Sequence, residues 1–348
     1  MSVTSGSLRI GIYEPADSDE ALDLEARSPQ GRAFRLRFER AYFHRRAENF
    51  DTWRMVTARR EGELVGIAGG ALKPALRDGR STTAAYVFDV RVAPEERRGR
   101  IAQRLIQELA LWARQTAEFS YGFLAGDNVA SSRLATEIFG TGTAPACRYL
   151  VYPILRGTRA AGEAKEAPAP DIHQRFLNNR GPFDLYCDPH LAFAAEGYVG
   201  SWIASQDGGT ASCSAWSNEK TMAEVVDRVP PSLTAAGTLL RHWPLKLLPL
   251  PPIPQPGDRV RSWYLFDFDA SDGASAARLM KSIAVAARSR GIDYCYIIHR
   301  GDEPWIEDLR RRVPRLFAPI VPYSIISQML DDGSPIFFKS PYIDIRDV

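Results

Sequence analysis

The sequence predicts a mixed α/β fold, of the α+β kind, made of two similar units in tandem. Each unit is expected to have a mixed, mostly antiparallel central sheet flanked by helices. Strand patterns with a period of two residues alternate with helical patterns in both halves. Residues 156–170 are small, charged and proline-bearing, as in a linker. The pair Phe88-Asp89 in the first half returns as Phe266-Asp267 in the second, which indicates a diverged internal repeat.

Composition supports this organisation and excludes several classes of protein. A chain of 348 residues predicts about two domains, and its hydrophobic content of 45% is enough for full cores. A net charge of +2 predicts no general affinity for nucleic acid or membranes. The four cysteines and five histidines lack the spacing of a metal site or disulfide framework. The first residues do not resemble a secretory signal, and no apolar run approaches the roughly 20 residues of a membrane helix. The sequence therefore predicts a cytoplasmic protein.

In the first half, alternating apolar residues predict strands, and apolar residues three or four apart predict helices. The predicted strands are 8–13, 53–59, 64–72, 85–92, 119–125 and 148–154, with a polar hairpin tip at 73–81. The predicted helices are 17–26, 31–49, 101–112 and 130–139. Asp17 or Ser18 is the candidate cap of the first helix.

The second half is predicted in the same way. Its helices are 171–178, 222–229, 275–290 and 305–313, and its strands are 183–187, 198–205, 210–217, 260–268, 294–299 and 320–326. Residues 245–256 are rich in proline, which predicts an extended connection.

The central stretch of the first half consists of a strand, a basic turn and a helix. Pro94 ends the strand because it cannot donate to the sheet, and the turn RRGR at 97–100 precedes an amphipathic helix. The first amides of a helix lack intrahelical partners and carry partial positive charge, so they form a phosphate site. Gly99 allows close approach of the backbone, and the arginines add charge. Two interpretations compete here: a solvated basic turn and a binding site for the diphosphate of coenzyme A.

This stretch resembles the acyl-CoA-binding motif of the GNAT acyltransferases, Gln/Arg-x-x-Gly-x-Gly/Ala after Val-x-Pro. Val92-Ala93-Pro94 is present, and Arg97 and Ala102 fill the outer positions of the motif. Arg100 stands where the middle glycine is expected, and Gly99 comes one place early. The order of predicted elements in the first half is also that of a GNAT domain. The segments AEFSYGFLAGDN, FLNNRGPFDLY and SPIFFKSPYIDIRDV further resemble the plant Hookless-type N-acetyltransferases.

The resemblance implies a tandem GNAT protein that transfers an acetyl group from acetyl-CoA to a primary amine by direct attack in a ternary complex. Residues 1–155 would form the acetyl-CoA-binding catalytic domain, 156–170 a linker and 171–348 a degenerate GNAT-like domain. In the second unit the turn reads DASDGASAA, and its acids would repel a diphosphate. The acceptor would be an amine-bearing small molecule, a protein or a peptide.

The resemblance also implies the site residues. Strands 85–92 and 119–125 should separate, so that backbone groups of the first face the coenzyme. The candidate cofactor-binding residues are Val90, Arg91, Val92, Arg97, Arg98, Gly99, Arg100, Ile101, Ala102, Asn128, Ser131 and Ser132.

The catalytic groups are less well defined by the motif. The usual tyrosine acid lies seven residues after the asparagine, and that position is Ala135. Tyr86, Asp89 and Asp127 are the candidate catalytic residues, and the carboxylate of Val348 is a further candidate to enter the cleft. Asp89 lies in an apolar strand, where it is either a lone carboxylate with a raised pKa or the partner of an arginine. The departures at 100 and 135 leave a second function open, that of a non-catalytic CoA-sensing or protein-interaction module.

Overall fold

The computed structural model describes residues 7–29, 35–97, 99–125, 145–155, 164–241, 253–312 and 320–347. The strands are β1 (Leu8–Ile12), β2 (Arg35–Glu39), β3 (Thr52–Arg60), β4 (Glu63–Arg77), β5 (Arg80–Val92), β6 (Phe119–Ala125), β7 (Pro145–Pro153), β8 (Lys165–Glu166), β9 (Tyr198–Gln206), β10 (Gly209–Trp216), β11 (Ala223–Arg228), β12 (Arg259–Val260), β13 (Ser262–Ala270), β14 (Tyr294–His299) and β15 (Ile320–Met329). The α-helices are α1 (Ser18–Ala26), α2 (Ile101–Ala113), α3 (Ala169–Arg180), α4 (His190–Ala194), α5 (Pro231–Arg241), α6 (Gly273–Ser289) and α7 (Ile306–Arg311). Short 3₁₀ helices span Pro15–Asp17, Phe43–Asn49, Pro94–Glu96 and Ile345–Asp347.

One large sheet joins the two halves of the chain. Among the described residues it has twelve strands in the order β1-β3-β4-β5-β6-β15-β7-β14-β13-β10-β9-β8. Its pairs are antiparallel except β5 with β6 and β13 with β14. The mixed, mostly antiparallel fold class is thus confirmed, and strands of the two halves belong to one continuous sheet. Strand β15, from the end of the chain, lies between β6 and β7, and β7 pairs with β14 of the second half.

A repeated backbone feature marks the middle of each half. In both, a helix connects two parallel strands, and the first of these strands carries a register shift. Asp89 in β5 and Asp267 in β13 lie at these shifts in the left-handed conformation, with φ of 49° and 50°. Such φ values are uncommon for residues other than glycine. The shared feature supports the internal repeat, while the division into domains at 155 and 171 stays a prediction.

The apolar stripe of α2 packs on β4 of the large sheet. Ile101, Leu105 and Leu109 are at most 2% exposed, as the helical pattern predicted. The close approach depends on glycine, because a Cβ atom at Gly66 would lie 2.7 Å from the Cγ2 atom of Ile101. A Cβ atom at Gly70 would lie 3.2 Å from the Cδ2 atom of Leu109. The helix N-terminus is thereby fixed beside the end of β5.

Two predicted helices are strands, and both errors have one cause. Of the predicted helix 31–49, the described part forms β2 and a 3₁₀ helix, and the predicted helix 222–229 is β11. Strands β2 and β11 pair with each other, and β12 completes a separate three-stranded sheet. Arg35-Leu36-Arg37-Phe38-Glu39 alternates with the period of a strand, and tertiary pairing decided the outcome.

Smaller differences concern boundaries. The predicted hairpin tip at 73–81 is a tight turn at Asp78-Gly79, because β4 and β5 extend to either side of it. The predicted strand 183–187 is not formed, and Asp184 makes only an isolated bridge to Pro341. The predicted linker ends early, since β8 pairs with β9 and α3 begins at Ala169. The predicted helix 130–139 and most of the proline-rich segment 245–256 lie outside the described residues.

Candidate functional site

The candidate site begins where β5 and β6 separate. Residues 84–86 pair in parallel with 119–121, and the pairing ends there. Beyond Tyr86, β5 continues to Val92 along β4, while β6 continues to Ala125 along β15. The predicted separation of these two strands is therefore present. Among the described residues, no strand pairs with this edge of β5 beyond Tyr86, so its backbone can form hydrogen bonds to a ligand.

The residues of β5 beside the separation of β5 and β6 differ in which of their groups can contact a ligand. Val90 and Val92 are half-buried, so their backbone groups rather than their side chains are suited to contact a ligand. Arg91 is 8% exposed, and its guanidinium donates to Glu25 at 3.2 Å. The side chain of Arg91 is therefore bound to Glu25 within the protein, where it stabilises the strand.

The basic turn lies at the end of β5 on the surface. Arg97, Gly99 and Arg100 are exposed, whereas Ile101 is buried and half-buried Ala102 follows it in α2. Arg100 is the N-cap residue, and its side chain makes no capping hydrogen bond. The first amides of α2 are thus uncapped by that residue, and they carry the partial positive charge of a helix N-terminus. This arrangement suits an anionic diphosphate.

Arg100 also resolves the departure from the glycine motif. Its φ of 53° and ψ of 22° lie in the left-handed region, which glycine adopts most easily. The backbone conformation favoured by glycine is therefore present at this position, although an arginine occupies it. Gly99 does not have a positive φ.

In the corresponding turn of the second half, a side chain of the turn itself caps the helix that follows. The carboxylate of Asp272 accepts a hydrogen bond from the amide of Ser275 at 2.8 Å, at the start of α6. Hydrogen bonds from the Ser275 amide and neighbouring hydroxyls lower the pKa of Asp272 to about 2, so it is an anion at neutral pH. Where β13 and β14 diverge, a cavity has a water-accessible volume of only about 40 Å³. That this unit does not bind coenzyme A stays a prediction.

Asp89 is held by arginines. Its carboxylate accepts from Arg40 at 2.7 Å and from Arg46 at 3.4 Å, and its side chain is 2% exposed. Burial opposes ionisation, but the two guanidinium groups hold the pKa of Asp89 well below its usual range. The expectation of a lone carboxylate with a raised pKa is therefore wrong, and the alternative of an ion pair is correct. An anion so paired is a weak base.

The end of the chain reaches the separation of β5 and β6. The hydroxyl of Tyr86 donates to the main-chain carbonyl of Asp347 at 2.7 Å, and Tyr121 donates to its Oδ2 atom at 2.7 Å. The Nζ atom of Lys73 lies 2.5 Å from the Oδ1 atom of Asp347 and 2.7 Å from Asp344. Residues from the second half therefore complete the site of the first.

Burial sets the protonation of this cluster. It raises the pKa of both tyrosine hydroxyls, so Tyr86 and Tyr121 stay protonated at neutral pH. The two aspartates diverge: burial raises the pKa of Asp347, whereas Lys73 and Arg346 overcome burial and hold the pKa of Asp344 well below its usual range. Carboxylates with separated pKa values often have different chemical roles.

Sequence reasoning found Tyr86 but missed Lys73, Tyr121, Asp344 and Asp347. The alternation of apolar and acidic residues in YIDIRD was the available signal, because buried acids require a cation. Arg98, Asp127, Asn128, Ser131 and Ser132 lie outside the described residues, as do Ala135 and Val348.

Residues 19–140 match the model of the acetyltransferase (GNAT) family. Two structures of Saccharomyces cerevisiae N-myristoyltransferase are similar to this chain. One, with bound myristoyl-CoA, has 12% identity and a TM-score of 0.56, covering 93% of this chain and 83% of that chain. The other, with myristoyl-CoA and inhibitors, has 11% identity and a TM-score of 0.58, covering 99% and 87%.

A GCN5-related N-acetyltransferase from Kribbella flavida has 14% identity and a TM-score of 0.46, covering 92% of this chain and 71% of that chain. At such identities the likeness concerns the fold alone. A search of curated proteins gave no significant match. The Hookless-type resemblance and the tandem arrangement therefore remain predictions. Among the described residues, no helix is long and apolar enough to span a membrane.

Proposed function

We propose that this protein is an N-acyltransferase that moves an acyl group from a coenzyme A thioester, acetyl-CoA in the first instance, to a primary amine. The observation that carries the proposal is the separation of β5 and β6 beside the N-terminus of α2, where the exposed N-cap residue Arg100 makes no capping hydrogen bond. The family match over 19–140 and the fold shared with a protein that binds myristoyl-CoA support it. The cleft would lie in residues 1–155 and be completed by 171–348. The cytoplasmic location rests on the sequence alone.

The residues present fit coenzyme A. Backbone groups of Val90 and Val92 would pair with the pantetheine amides, because no strand among the described residues pairs with that edge of β5 beyond Tyr86. The amides of Ile101 and Ala102 would bind the diphosphate, with Arg97 and Arg100 adding charge. When bound, the coenzyme supplies an activated carbonyl carbon and a thiolate leaving group.

Direct transfer requires a neutral amine and a proton for the departing thiolate. We assign the first task to Asp347, the carboxylate whose pKa burial raises, acting through the Tyr121 hydroxyl that donates to it. Tyr86 is too weak an acid to release its proton freely, and its hydroxyl already donates to the main-chain carbonyl of Asp347, so the thiolate would take its proton from solvent. Asp89 orients Arg40 and Arg46 in this scheme.

Binding and turnover should be tested separately. We expect acetyl-CoA to raise the melting temperature, by an amount equivalent to about 2.7 kcal/mol at a hundred times its Kd. The double variant Arg97→Ala/Arg100→Ala should lose most of that shift. Arg114→Ala, at the opposite end of α2, is the matched control. No shift in the wild type at millimolar acetyl-CoA would refute the proposal.

The second candidate function is a CoA-sensing or protein-interaction module without catalysis. The arginine at the glycine position of the motif favours it, because a side chain there can crowd a phosphate. Release of free thiol from acetyl-CoA, measured against a panel of amines and with longer acyl chains, separates the two functions. Binding without turnover on every amine and acyl chain would favour the module.

A further inference from the structure

The small sheet β12-β11-β2 joins the two halves and carries a buried acid toward the large sheet. Glu224, on β11, is 9% exposed. Its Oε1 atom accepts from the Tyr264 hydroxyl at 2.5 Å, and its Oε2 atom accepts from the Tyr296 hydroxyl at 3.3 Å. Tyr264 and Tyr296 lie side by side on the parallel strands β13 and β14. The carboxylate is thus fixed over one face of the large sheet.

Aromatic rings continue along that face toward the candidate active site. The ring of Tyr264 lies 4.8 Å from Tyr296 and 6.2 Å from Tyr149 on β7, measured between centroids. Tyr149 lies 4.5 Å from Tyr323 on β15.

Strand register extends the row to the separation of β5 and β6. Tyr323 pairs with Ala125 of β6, four residues after Tyr121 and so on the same face. Tyr121 pairs in turn with Tyr86. Six adjacent strands therefore contribute a tyrosine to one face, from the strand separation to Glu224.

Among the described residues, Glu224 differs from Asp89 and Asp344 in that no lysine or arginine lies beside it. Asp89 has two arginines and Asp344 has a lysine and an arginine, whereas in the described part of the chain no cation lies within ion-pair distance of Glu224. A buried carboxylate without a counter-charge is costly. Burial accordingly raises the pKa of Glu224. Tyrosine faces attract cations, and Tyr296 and Tyr323 are only partly buried, so part of the tyrosine row is exposed.

We propose that Glu224 and the tyrosines around it bind a cationic group of the acceptor, an ammonium or guanidinium, in addition to the amine that reacts. This inference rests on the proposed function and specifies its acceptor. Five steps between strands, at about 4.8 Å each, separate β5 from β13, so the reacting amine and the distant cationic group lie about 24 Å apart measured across the strands. The acceptor is therefore elongated. A polyamine and a basic peptide of about seven residues share this chemistry.

The test compares acceptors that differ only in the distant charge. Two peptides of about seven residues, identical except for Lys or Gln at the far end, are assayed alongside spermine and hexylamine with saturating acetyl-CoA. We expect kcat/KM to be about 10-fold or more higher for the Lys peptide, since one cation–carboxylate contact can contribute that much. Glu224→Gln should remove this preference by lowering the rate on the Lys peptide toward that on the Gln peptide. If the rate advantage of spermine over hexylamine matches or exceeds that of the Lys peptide over the Gln peptide, the distant cation belongs to a polyamine acceptor.

Three controls keep the outcomes distinct. Glu39→Gln changes another acid of the same small sheet, one that already pairs with Arg259, and should keep the preference. Glu224→Asp retains the charge and should retain part of it. The KM for acetyl-CoA reports whether each variant is folded.

Equal rates on the two peptides, or a preference that survives Glu224→Gln, would overturn this inference and leave the acyltransferase function standing. If no amine is acylated, the proposed function fails instead. Calorimetric titration of the Lys peptide and spermine into the full chain then decides the inference. Binding that is lost in Glu224→Gln supports it, and no binding at millimolar concentration overturns it.

Discussion

Replacing Lys73 by methionine should weaken the packing of residues 344–347 against the separation of β5 and β6. The Nζ atom lies within 2.7 Å of both Asp344 and Asp347, and the three side chains are at most 4% exposed. Methionine keeps the length of the side chain and removes its charge. Loss of one partner of a buried ion pair costs about 3–5 kcal/mol. Arg346 still pairs with Asp344, so Asp347 is the carboxylate that mainly loses its counter-charge. Stabilities of domains are about 5–15 kcal/mol, so the deficit should be large.

The dependence on pH identifies the cause of this deficit. Without Lys73, the pKa of Asp347, already raised by burial, should rise further above its value in the unfolded chain. The folded variant then holds a proton that the unfolded variant has released, so its stability falls as pH rises through that interval. The deficit should be smallest near about pH 4 and grow toward about pH 8. Urea denaturation across this range measures it.

Two further variants complete the experiment. Lys281→Met removes an exposed lysine of α6 and should change stability little. Adding Asp347→Asn to Lys73→Met should recover much of the loss and its pH dependence, because no buried anion then remains unpaired at that position. Acetyl transfer should be lost in Lys73→Met while acetyl-CoA still binds. A deficit below about 1 kcal/mol, or one independent of pH, would refute the assignment of Lys73 as the counter-charge.

Three other changes test separate features. Arg100→Gly should raise the free energy of unfolding by up to about 1 kcal/mol, since the left-handed conformation costs about 1–2 kcal/mol for a residue with a side chain. The same variant should bind acetyl-CoA more weakly. Denaturation should therefore show a gain in stability while calorimetry shows a loss of affinity. Gly66→Ala should destabilise by about 1–3 kcal/mol, because its methyl group meets Ile101 at 2.7 Å; an unchanged urea midpoint would contradict the packing. Burial raises the pKa of Glu224 in the folded protein above the usual value of about 4.5. The wild type should therefore lose stability relative to Glu224→Gln as pH rises above about 4.5. Parallel curves of stability against pH for the two proteins would show that the carboxylate is not buried without a counter-charge.

Local pattern was enough to predict the part of the site that lies within one continuous stretch. The strand ending at Val92, the basic turn and the helix from Ile101 were predicted from periodicity and from Pro94, and all three are present. The correspondence of Asp89 with Asp267 was also predicted from sequence, and both residues share a left-handed backbone. These features depend on the conformational preferences of nearby residues, which the sequence records directly.

The partners of each segment could not be predicted in the same way. The pairing of β2 with β11 converted two predicted helices into strands. The sequence left open whether Asp89 is a lone carboxylate or the partner of an arginine, because Arg40 and Arg46 lie more than 40 residues away in sequence. A strand edge or a buried charge specifies what kind of partner it needs, but not which distant segment supplies it.

The sequence by itself determined the fold class and located the strand, basic turn and helix on which the proposed diphosphate site rests. Only the tertiary structure decided that both halves share one sheet, that Lys73 receives Asp344 and Asp347 at the separation of β5 and β6, and that Glu224 lacks a cation among the described residues. The reason is physical: periodicity and turn chemistry act over a few residues, whereas burial and charge pairing depend on contacts between segments hundreds of residues apart.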